Sequence, residues 1–437
     1  MNIRNILTGS IALATLVTTA QADVEIRVTG ATAFRAAAIK AIYDQFVTGG
    51  SFTFAHNAAA NSAAGLAVQG ADRATFKGSF PGISGTTTVR CSWNGSVEGV
   101  RAVALGGTHN PVFIQDAALA SPGTDTNEAA NENALKTGDT LAQLAKFSFS
   151  DVLQTSTPVA SPVLNPSDAK VGITTFALIA NEGAPANWTN ITTQQFKALF
   201  GQGKLPLSVF TGDAADTKYV YASGRNDGSG TRTTYMAESG LGITSLVSQF
   251  VVTSSGSNTI NVIRKAPSTA TLGAGTYAST LWGQNLDGNG GYVSGSTLRT
   301  DFGKVSSSVQ VQDADGSELE PAGTDVLLAT FLTTADARTA AAAGGKILGW
   351  NGYGLTSLQT SSTLSTADRD AIAEGRYTAW SFQQFYYSGS LSADETTFDT
   401  AIRTGIPAGL IAGGRLNGVP LTEMHVGRGD DGAPVTP

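Results

Sequence analysis

The sequence has few of the residues that build metal centres and covalent cross-links. Its 437 residues include one cysteine, Cys91, and three histidines. A single cysteine excludes an internal disulfide framework, and we expect it to be a small buried side chain on a strand. The histidines, His56, His109 and His425, lie in unrelated contexts without metal-ligand spacing, so we expect surface or loop positions for them and no zinc.

Motifs for catalysis are also missing. The chain contains no Gly-x-Ser-x-Gly elbow, no Walker loop and no Cys-His pair. Residues 285–290 and 313–320 resemble fragments of calcium loops, but they lack the full alternation of oxygen ligands and are interpreted as turns. Without a nucleophile–base pair or a metal cluster, the sequence predicts a protein that is not an enzyme and needs no cofactor or metal.

Charged residues are scarce, and acidic ones slightly outnumber basic ones. They make up 14% of the chain, with 27 Lys and Arg against 34 Asp and Glu, which gives a formal net charge of -7. This balance argues against nucleic acid or an anionic membrane as a partner. A small anion remains compatible, because a site built from local dipoles and one arginine acts at hydrogen-bond range. The 41% of hydrophobic residues and 51 glycines indicate a folded, loop-rich α/β chain.

No apolar run in the mature chain approaches the roughly 20 residues of a membrane-spanning helix. At the N terminus, Arg4 precedes an apolar stretch at residues 6–19 and the small-residue site Ala20-Gln-Ala22. This pattern is typical of a secretory signal peptide at residues 1–22. We therefore expect a soluble mature chain that begins at Asp23 and lies in the periplasm or outside the cell.

Strand-like and helix-like segments alternate along the chain. Strand patterns occur at residues 24–29, 87–93, 146–149, 171–181 and 219–223, and helix patterns at 31–46, 97–105, 192–200 and 232–238. Small and polar residues follow the strands at 31–32, 95–96, 150–151 and 225–231. Because open α/β sheets bind ligands at the carboxyl ends of their strands, these four strand ends are the candidate site.

The most informative strand end is Arg225-Asn-Asp-Gly-Ser-Gly-Thr231, which leads from a strand into a helix. Free backbone N–H groups and the helix dipole attract anions at such a junction. Ser229 and Thr231 add hydroxyl donors, and Arg225 offers a planar fork that suits a tetrahedral oxyanion. The alternative interpretation is a solvated turn that only caps the helix.

Several segments together resemble the periplasmic phosphate-binding proteins of bacterial ABC-type uptake systems. Similar segments are Val28-Thr-Gly-Ala-Thr-Ala-Phe34, Trp93-Asn-Gly-Ser-Val-Glu-Gly-Val100, Phe147-Ser-Phe-Ser-Asp151, Arg225 to Thr231, residues 191–200 and Glu374-Gly-Arg-Tyr-Thr-Ala-Trp380. The match at Arg225 to Thr231 is the strongest. Two departures are Ala33, which separates Thr32 from the aromatic residue, and the Ala/Gly/Ser-rich insertions at residues 49–85 and 121–137.

The resemblance implies a role for each matched residue. The residues that would contact phosphate or a related oxyanion are Ala31 or Ala33 through the backbone, Thr32, Ser96, Asp151, Arg225, Ser229, Gly230 and Thr231. An ionised Asp151 would accept a hydrogen from the anion and so favour hydrogen phosphate over sulfate. Alternatively, Asp151 is a helix or turn cap, and Asp116, which also ends an apolar strand, is the acceptor.

The mature chain is too long for one ordinary core, which indicates two lobes. The resemblance implies an α/β, two-lobed type II periplasmic-binding-protein fold with two crossover strands forming a hinge. The expected limits are 23–162 and 324–426 for lobe 1, 163–323 for lobe 2 and 427–437 for a flexible tail. The chain would return to lobe 1 through residues 326–332 and add helices near 367–374 and 379–387.

Two functions follow from this reading. The first is a monomeric extracytoplasmic receptor that captures phosphate or a related tetrahedral oxyanion between its lobes and delivers it to a membrane ABC permease. The second is a secreted or cell-surface interaction protein that keeps the binding-protein fold without oxyanion transport. A titration with phosphate and its analogues separates the two.

Overall fold

A computed structural model describes residues 23–58, 67–120, 132–133, 139–268, 276–277, 282 and 286–437 of the chain. The predicted signal peptide, residues 1–22, lies outside the described residues, as does most of the predicted insertion at 121–137. Within the described ranges, no helix is both long and apolar enough to cross a membrane.

The described residues form a mixed α/β structure. Its strands are β1 (Val24–Gly30), β2 (Phe52–His56), β3 (Arg73–Gly78), β4 (Thr87–Ser92), β5 (Val112–Ile114), β6 (Glu132–Asn133), β7 (Thr140–Ala142), β8 (Phe147–Ser150), β9 (Lys170–Ala180), β10 (Asn190–Ile191), β11 (Lys204–Pro206), β12 (Tyr219–Ala222), β13 (Phe250–Ser255), β14 (Ile260–Lys265), β15 (Thr276–Tyr277), β16 (Gly291–Tyr292), β17 (Val309–Gln312), β18 (Glu318–Thr324), β19 (Val326–Thr333), β20 (Lys346–Trp350) and β21 (Trp380–Tyr387). Its helices are α1 (Arg35–Gly49), α2 (Ser96–Leu105), α3 (Thr193–Gln202), α4 (Ser208–Thr211), α5 (Gly230–Glu238), α6 (Gly295–Phe302), α7 (Thr334–Ala342), α8 (Thr366–Ala373) and α9 (Ala393–Ala412).

The main sheet is continuous and follows the order β11-β12-β19-β9-β21-β8-β1-β4-β3-β2-β6. The long strand β9 links its two parts. Residues 170–175 of β9 pair with β21, whereas residues 176–180 pair with β19 and β20. We call the strands from β21 to β6 the first group, and β11, β12, β19 and β20 the second group.

The chain returns from the second group to the first between α8 and β21. The return was expected at residues 326–332, but β19 pairs in parallel with β12 and antiparallel with the second half of β9. All eight residues of β19 are buried, as expected of a strand covered on both faces. The observed pairing therefore moves this strand into the second group. The three lobe ranges given above, 23–162, 163–323 and 324–426, stay predictions.

Three further elements differ from the sequence-based expectations. Residues 380–387 form the buried strand β21, not a helix, and hydrogen-bond to β8 and β9. The region at 49–85 contributes β2 and β3, which extend the sheet beyond β4. His56 is 1% exposed on β2 and is therefore a core residue, not a surface one.

The C-terminal segment also differs from the expected flexible tail. Residues 427 and 436 form an antiparallel bridge, and Arg428 is 7% exposed. A buried arginine is rarely tolerated without partners, and Arg428 has them in Glu238 and the Thr378 carbonyl. Two expectations hold: Cys91 is buried on β4, and Thr192 begins α3 with a capping box completed by Gln195.

Candidate functional site

The first group of strands brings three of the four predicted strand ends together. Strand β1 pairs in parallel with β4 on one side and with β8 on the other. The carboxyl ends of parallel neighbours meet at one edge of a sheet, so the residues that follow β1, β4 and β8 share this edge. The fourth strand end, after β12, approaches them from the second group.

After β1, the loop places Thr32 and Ala33 at the surface of a cavity of about 620 Å³, whose lining does not include Ser96, Asp151 or Arg225. The Ala31 N–H donates to the Phe149 carbonyl at 2.8 Å. That bond corrects the expectation that Ala31 donates to a ligand, because its single N–H is already engaged in joining β1 to β8. Thr32 keeps its place in the candidate site, with Ala33 as the backbone alternative.

After β4, helix α2 begins at Ser96. Gly95 precedes it with φ 110°, and a Cβ there would lie 2.6 Å from the Gly228 carbonyl oxygen. The same carbonyl accepts the Val97 N–H at 3.2 Å. Glycine is therefore required at 95, because the loop after β12 lies directly against the start of α2.

After β8, Asp151 is buried beside Ser96. The Ser96 hydroxyl donates to the Asp151 carboxylate and accepts the Asp151 N–H at 3.3 Å. Burial raises the pKa of Asp151 to about 6, although the Ser96 hydrogen bond and the charge of Arg225 act to lower it. The carboxylate is therefore largely ionised at neutral pH, and it can act as a hydrogen-bond acceptor.

After β12, Arg225 is 2% exposed and held by neutral oxygens. Its Nε donates to the Tyr292 carbonyl at 3.1 Å, and its Nη2 donates to the Val293 carbonyl and to Thr32 Oγ1, the latter at 3.4 Å. Burial lowers the pKa of Arg225 to about 10, and the charge of Asp151 acts in the opposite direction. The guanidinium stays cationic at neutral pH and connects the second group to the loop after β1.

The start of α5 closes the cluster. The Ser229 hydroxyl caps the helix by accepting the Arg232 N–H at 3.4 Å. A Cβ on Gly230 would overlap the Asp151 Oδ1 atom and crowd Ser96 Oγ, so the helix packs directly onto that pair. Thr231 follows and is 2% exposed. The first N–H groups of an α-helix have no carbonyl acceptor within the helix.

The structure thus brings together Thr32, Ser96, Asp151, Arg225 and Gly230. Ser229 and Thr231 lie beside them at the start of α5, with the Ser229 hydroxyl engaged in capping. The alternative acceptor is elsewhere: Asp116 forms ion pairs with Lys77 and Arg90 and is about half exposed. Asp151, by contrast, is buried and hydrogen-bonded to Ser96.

The sequence did not reveal the residues whose side chains hydrogen-bond to the backbone of the loop after β12. Arg232 donates to the Asn289 carbonyl at 2.6 Å, to the Asn289 side chain at 2.5 Å and to the Arg225 carbonyl at 3.4 Å. Gln249 donates to the Arg225 carbonyl at 3.3 Å and to that of Gly290 at 2.8 Å. A second arginine just inside α5 was the visible signal, but its partner lies 57 residues away.

No protein-family model and no curated protein matches this sequence. Solved structures with a similar chain layout include an ABC-type phosphate transport receptor from Vibrio cholerae, with 11% identity, a TM-score of 0.42 and coverage of 89% of this chain and 98% of that one. PstS from Borrelia burgdorferi has 11% identity, a TM-score of 0.34 and coverage of 90% and 97%. A human phosphate binding apolipoprotein has 13% identity, a TM-score of 0.37 and coverage of 91% of each chain. Likeness at this level assigns neither a family nor a ligand to the chain, so the site has to be judged from its own residues.

Proposed function

We propose that this protein is an extracytoplasmic receptor that binds phosphate or a related tetrahedral oxyanion between its two groups of strands. The observation that carries the proposal is Arg225, a buried cation whose hydrogen-bond partners in the described part of the chain are all neutral oxygens. A desolvated charge without a directly bonded counter-ion is costly. An anion at this position would supply the missing partner.

The surrounding groups favour an oxyanion over other anions. The donors are the Thr32 and Thr231 hydroxyls, the Arg225 fork and the first N–H groups of α5. Hydroxyl, guanidinium and N–H donors together suit phosphate, arsenate or a phosphonate, and the helix dipole adds to the attraction. Charge-assisted hydrogen bonds of this kind are about twice as strong as neutral ones.

Asp151 supplies selectivity in this proposal. An ionised carboxylate has only acceptor positions, so it pairs with an oxyanion that carries hydrogen and repels one that does not. At neutral pH, phosphate carries hydrogen and sulfate does not. The penalty for the wrong ligand therefore comes from the same carboxylate that contacts the right one.

The receptor role extends the proposal to transport. A similar chain layout occurs in an ABC-type phosphate transport receptor, and the predicted signal peptide would deliver this chain to the periplasm or beyond. We propose that the protein acts as a monomer, closes on its ligand and hands it to a membrane permease. It performs no chemistry on the anion.

Isothermal titration of the mature chain, residues 23–437, against phosphate, sulfate, arsenate and methylphosphonate tests the proposal. We expect one site per chain that takes phosphate and arsenate and discriminates against sulfate. Small-angle scattering with and without phosphate should show contraction on binding. The absence of titration heat with every oxyanion refutes the receptor role and favours a secreted interaction protein.

A further inference from the structure

The C-terminal segment is folded into a closed loop, residues 427–436. Its ends are joined because the Gly427 N–H donates to the Thr436 carbonyl at 2.8 Å and the Thr436 N–H donates back at 2.9 Å. A turn inside it is closed by the Ala433 N–H, which donates to the Asp430 carbonyl at 3.1 Å. We call this loop the C-terminal strap.

The strap holds the turn that carries Asp151. Asp431 accepts the Leu153 N–H at 2.8 Å, two residues after Asp151, and the Ser156 hydroxyl also bonds to the Asp431 carboxylate. An N–H buried without an acceptor would be costly, so the carboxylate fixes the course of the turn. The turn belongs to the first group of strands, through β8.

The strap also holds the far end of α5. Arg428 forms an ion pair with Glu238 at 2.8 Å, and the two side chains are 2% and 9% exposed. Glu238 is the last residue of α5, whose first residues pack onto Asp151. Gly432 lies against the same helix end, because a Cβ on it would overlap the backbone of Ala237.

A third contact anchors the strap where the chain passes between the two groups. The Arg428 Nη2 donates to the Thr378 carbonyl at 2.9 Å, and its guanidinium lies 4.1 Å from the centre of the Trp380 ring. Trp380 begins β21 and pairs with Thr175 at the middle of β9. The strap therefore contacts the Asp151 turn, helix α5 and the crossover region at once.

From these contacts we infer that the C-terminal strap sets the position of Asp151 relative to α5, with Asp431 as a positioning residue for the oxyanion site. Asp431 does not touch the ligand; it acts through the turn at residues 151–156. An element that bridges two parts of a site favours the arrangement in which both bridges are made. The ligand readout of this inference rests on the proposed function, whereas the effect on the turn does not.

The test compares Asp431→Ala with two control variants. Asp430→Ala removes the neighbouring exposed carboxylate. Asp431→Asn keeps an amide oxygen that can still accept the Leu153 N–H. Amide hydrogen exchange of the peptide containing residues 151–156 and phosphate affinity by titration are measured on each full mature chain. We expect Asp431→Ala to speed exchange in that peptide and to weaken phosphate binding, at most by about the tenfold that one charge-assisted hydrogen bond is worth. Asp430→Ala should match the parent, and Asp431→Asn should recover most of the affinity.

Unchanged exchange at residues 151–156 in Asp431→Ala overturns the inference. Faster exchange with unaltered phosphate affinity overturns it too, because the strap would then hold a turn that the ligand does not need. If the parent chain binds no oxyanion, the proposed function fails, and the exchange comparison alone decides whether Asp431 positions the turn.

Discussion

Arg225→Lys is the substitution that tests the site most directly. The arginine donates from Nε to the Tyr292 carbonyl and from Nη2 to Val293 and Thr32. Lysine keeps the charge, but its compact ammonium cannot hold these oxygens and present a planar fork to an oxyanion at the same time. Each charge-assisted bond lost to the ligand should cost about 1.5–3 kcal/mol, or roughly one to two factors of ten in affinity.

The assay is a phosphate titration of folded Arg225→Lys beside a matched control. Arg264 is suited to the control because it also donates from Nε and Nη2 to a backbone carbonyl, that of Ala314, but lies on β14 away from the site. We expect Arg264→Lys to bind phosphate as the parent does. If Arg225→Lys binds equally well, Arg225 does not contact the ligand, and the argument from its missing counter-ion is refuted.

Three further predictions concern the contact between Asp151 and α5. Asp151→Asn removes the charge and adds donors, so the phosphate-to-sulfate affinity ratio should fall. Asp116→Asn should leave that ratio unchanged. If the ratio changes only in Asp116→Asn, the acceptor is Asp116 and not Asp151. The pKa of Asp151 is raised to about 6, so the folded state binds this proton more tightly than the unfolded state does. The free energy of unfolding of the ligand-free parent should therefore fall by up to about 3 kcal/mol as pH rises from about 4 to about 6. Urea unfolding should show no such loss attributable to this site in Asp151→Asn. Gly230→Ala places a methyl group against the Asp151 carboxylate, so it should abolish measurable phosphate binding and lower the free energy of unfolding by about 1–3 kcal/mol. The control is Gly201→Ala on α3, where a methyl group meets no other atom, and it should leave both binding and fold intact.

The strand and helix around the central motif could be predicted because their signals are local. The sequence predicts a strand at 219–223 and a helix by 232, and the structure has β12 at Tyr219–Ala222 and α5 from Gly230. Ser229 caps the helix through its own side chain, within three residues. Information of this range is present in the sequence itself.

The elements that were missed depend on distant partners. Strand β21 lies between β8 and β9 and is mostly buried along its length, so its apolar residues do not alternate and periodicity alone cannot separate strand from helix. Its Trp, Phe and Tyr residues favour a strand, and that propensity was the better guide. Strands β2 and β3 were hidden by the small residues around them, although Phe54 and Phe76 stack at 5.5 Å.

In the candidate site too, the residue types could be predicted from the sequence, but their hydrogen-bond partners far along the chain could not. The donors on the four strand ends were visible as residue types, but the carbonyl of Tyr292 that orients Arg225 lies 67 residues away. The engagement of the Ala31 N–H also depends on pairing, since its acceptor is on β8. Sequence could therefore name most of the groups that converge, and the structure was needed to separate the available donors from the occupied ones.

The buried arginines differ in whether they form an ion pair with a carboxylate. Arg90 pairs directly with Glu25 and Asp116, and Arg428 pairs directly with Glu238. These cations are neutralised within the fold, so neither calls for a ligand. Arg225 and Arg232 are buried to a similar depth, yet among the described residues they hydrogen-bond only to neutral oxygens. All of the Arg232 hydrogen bonds go to Asn289 and to the Arg225 carbonyl, whereas Arg225 also donates to Thr32 in the loop after β1. We therefore propose Arg225 as the anion-binding position, with Asp151 limiting which anions can use it.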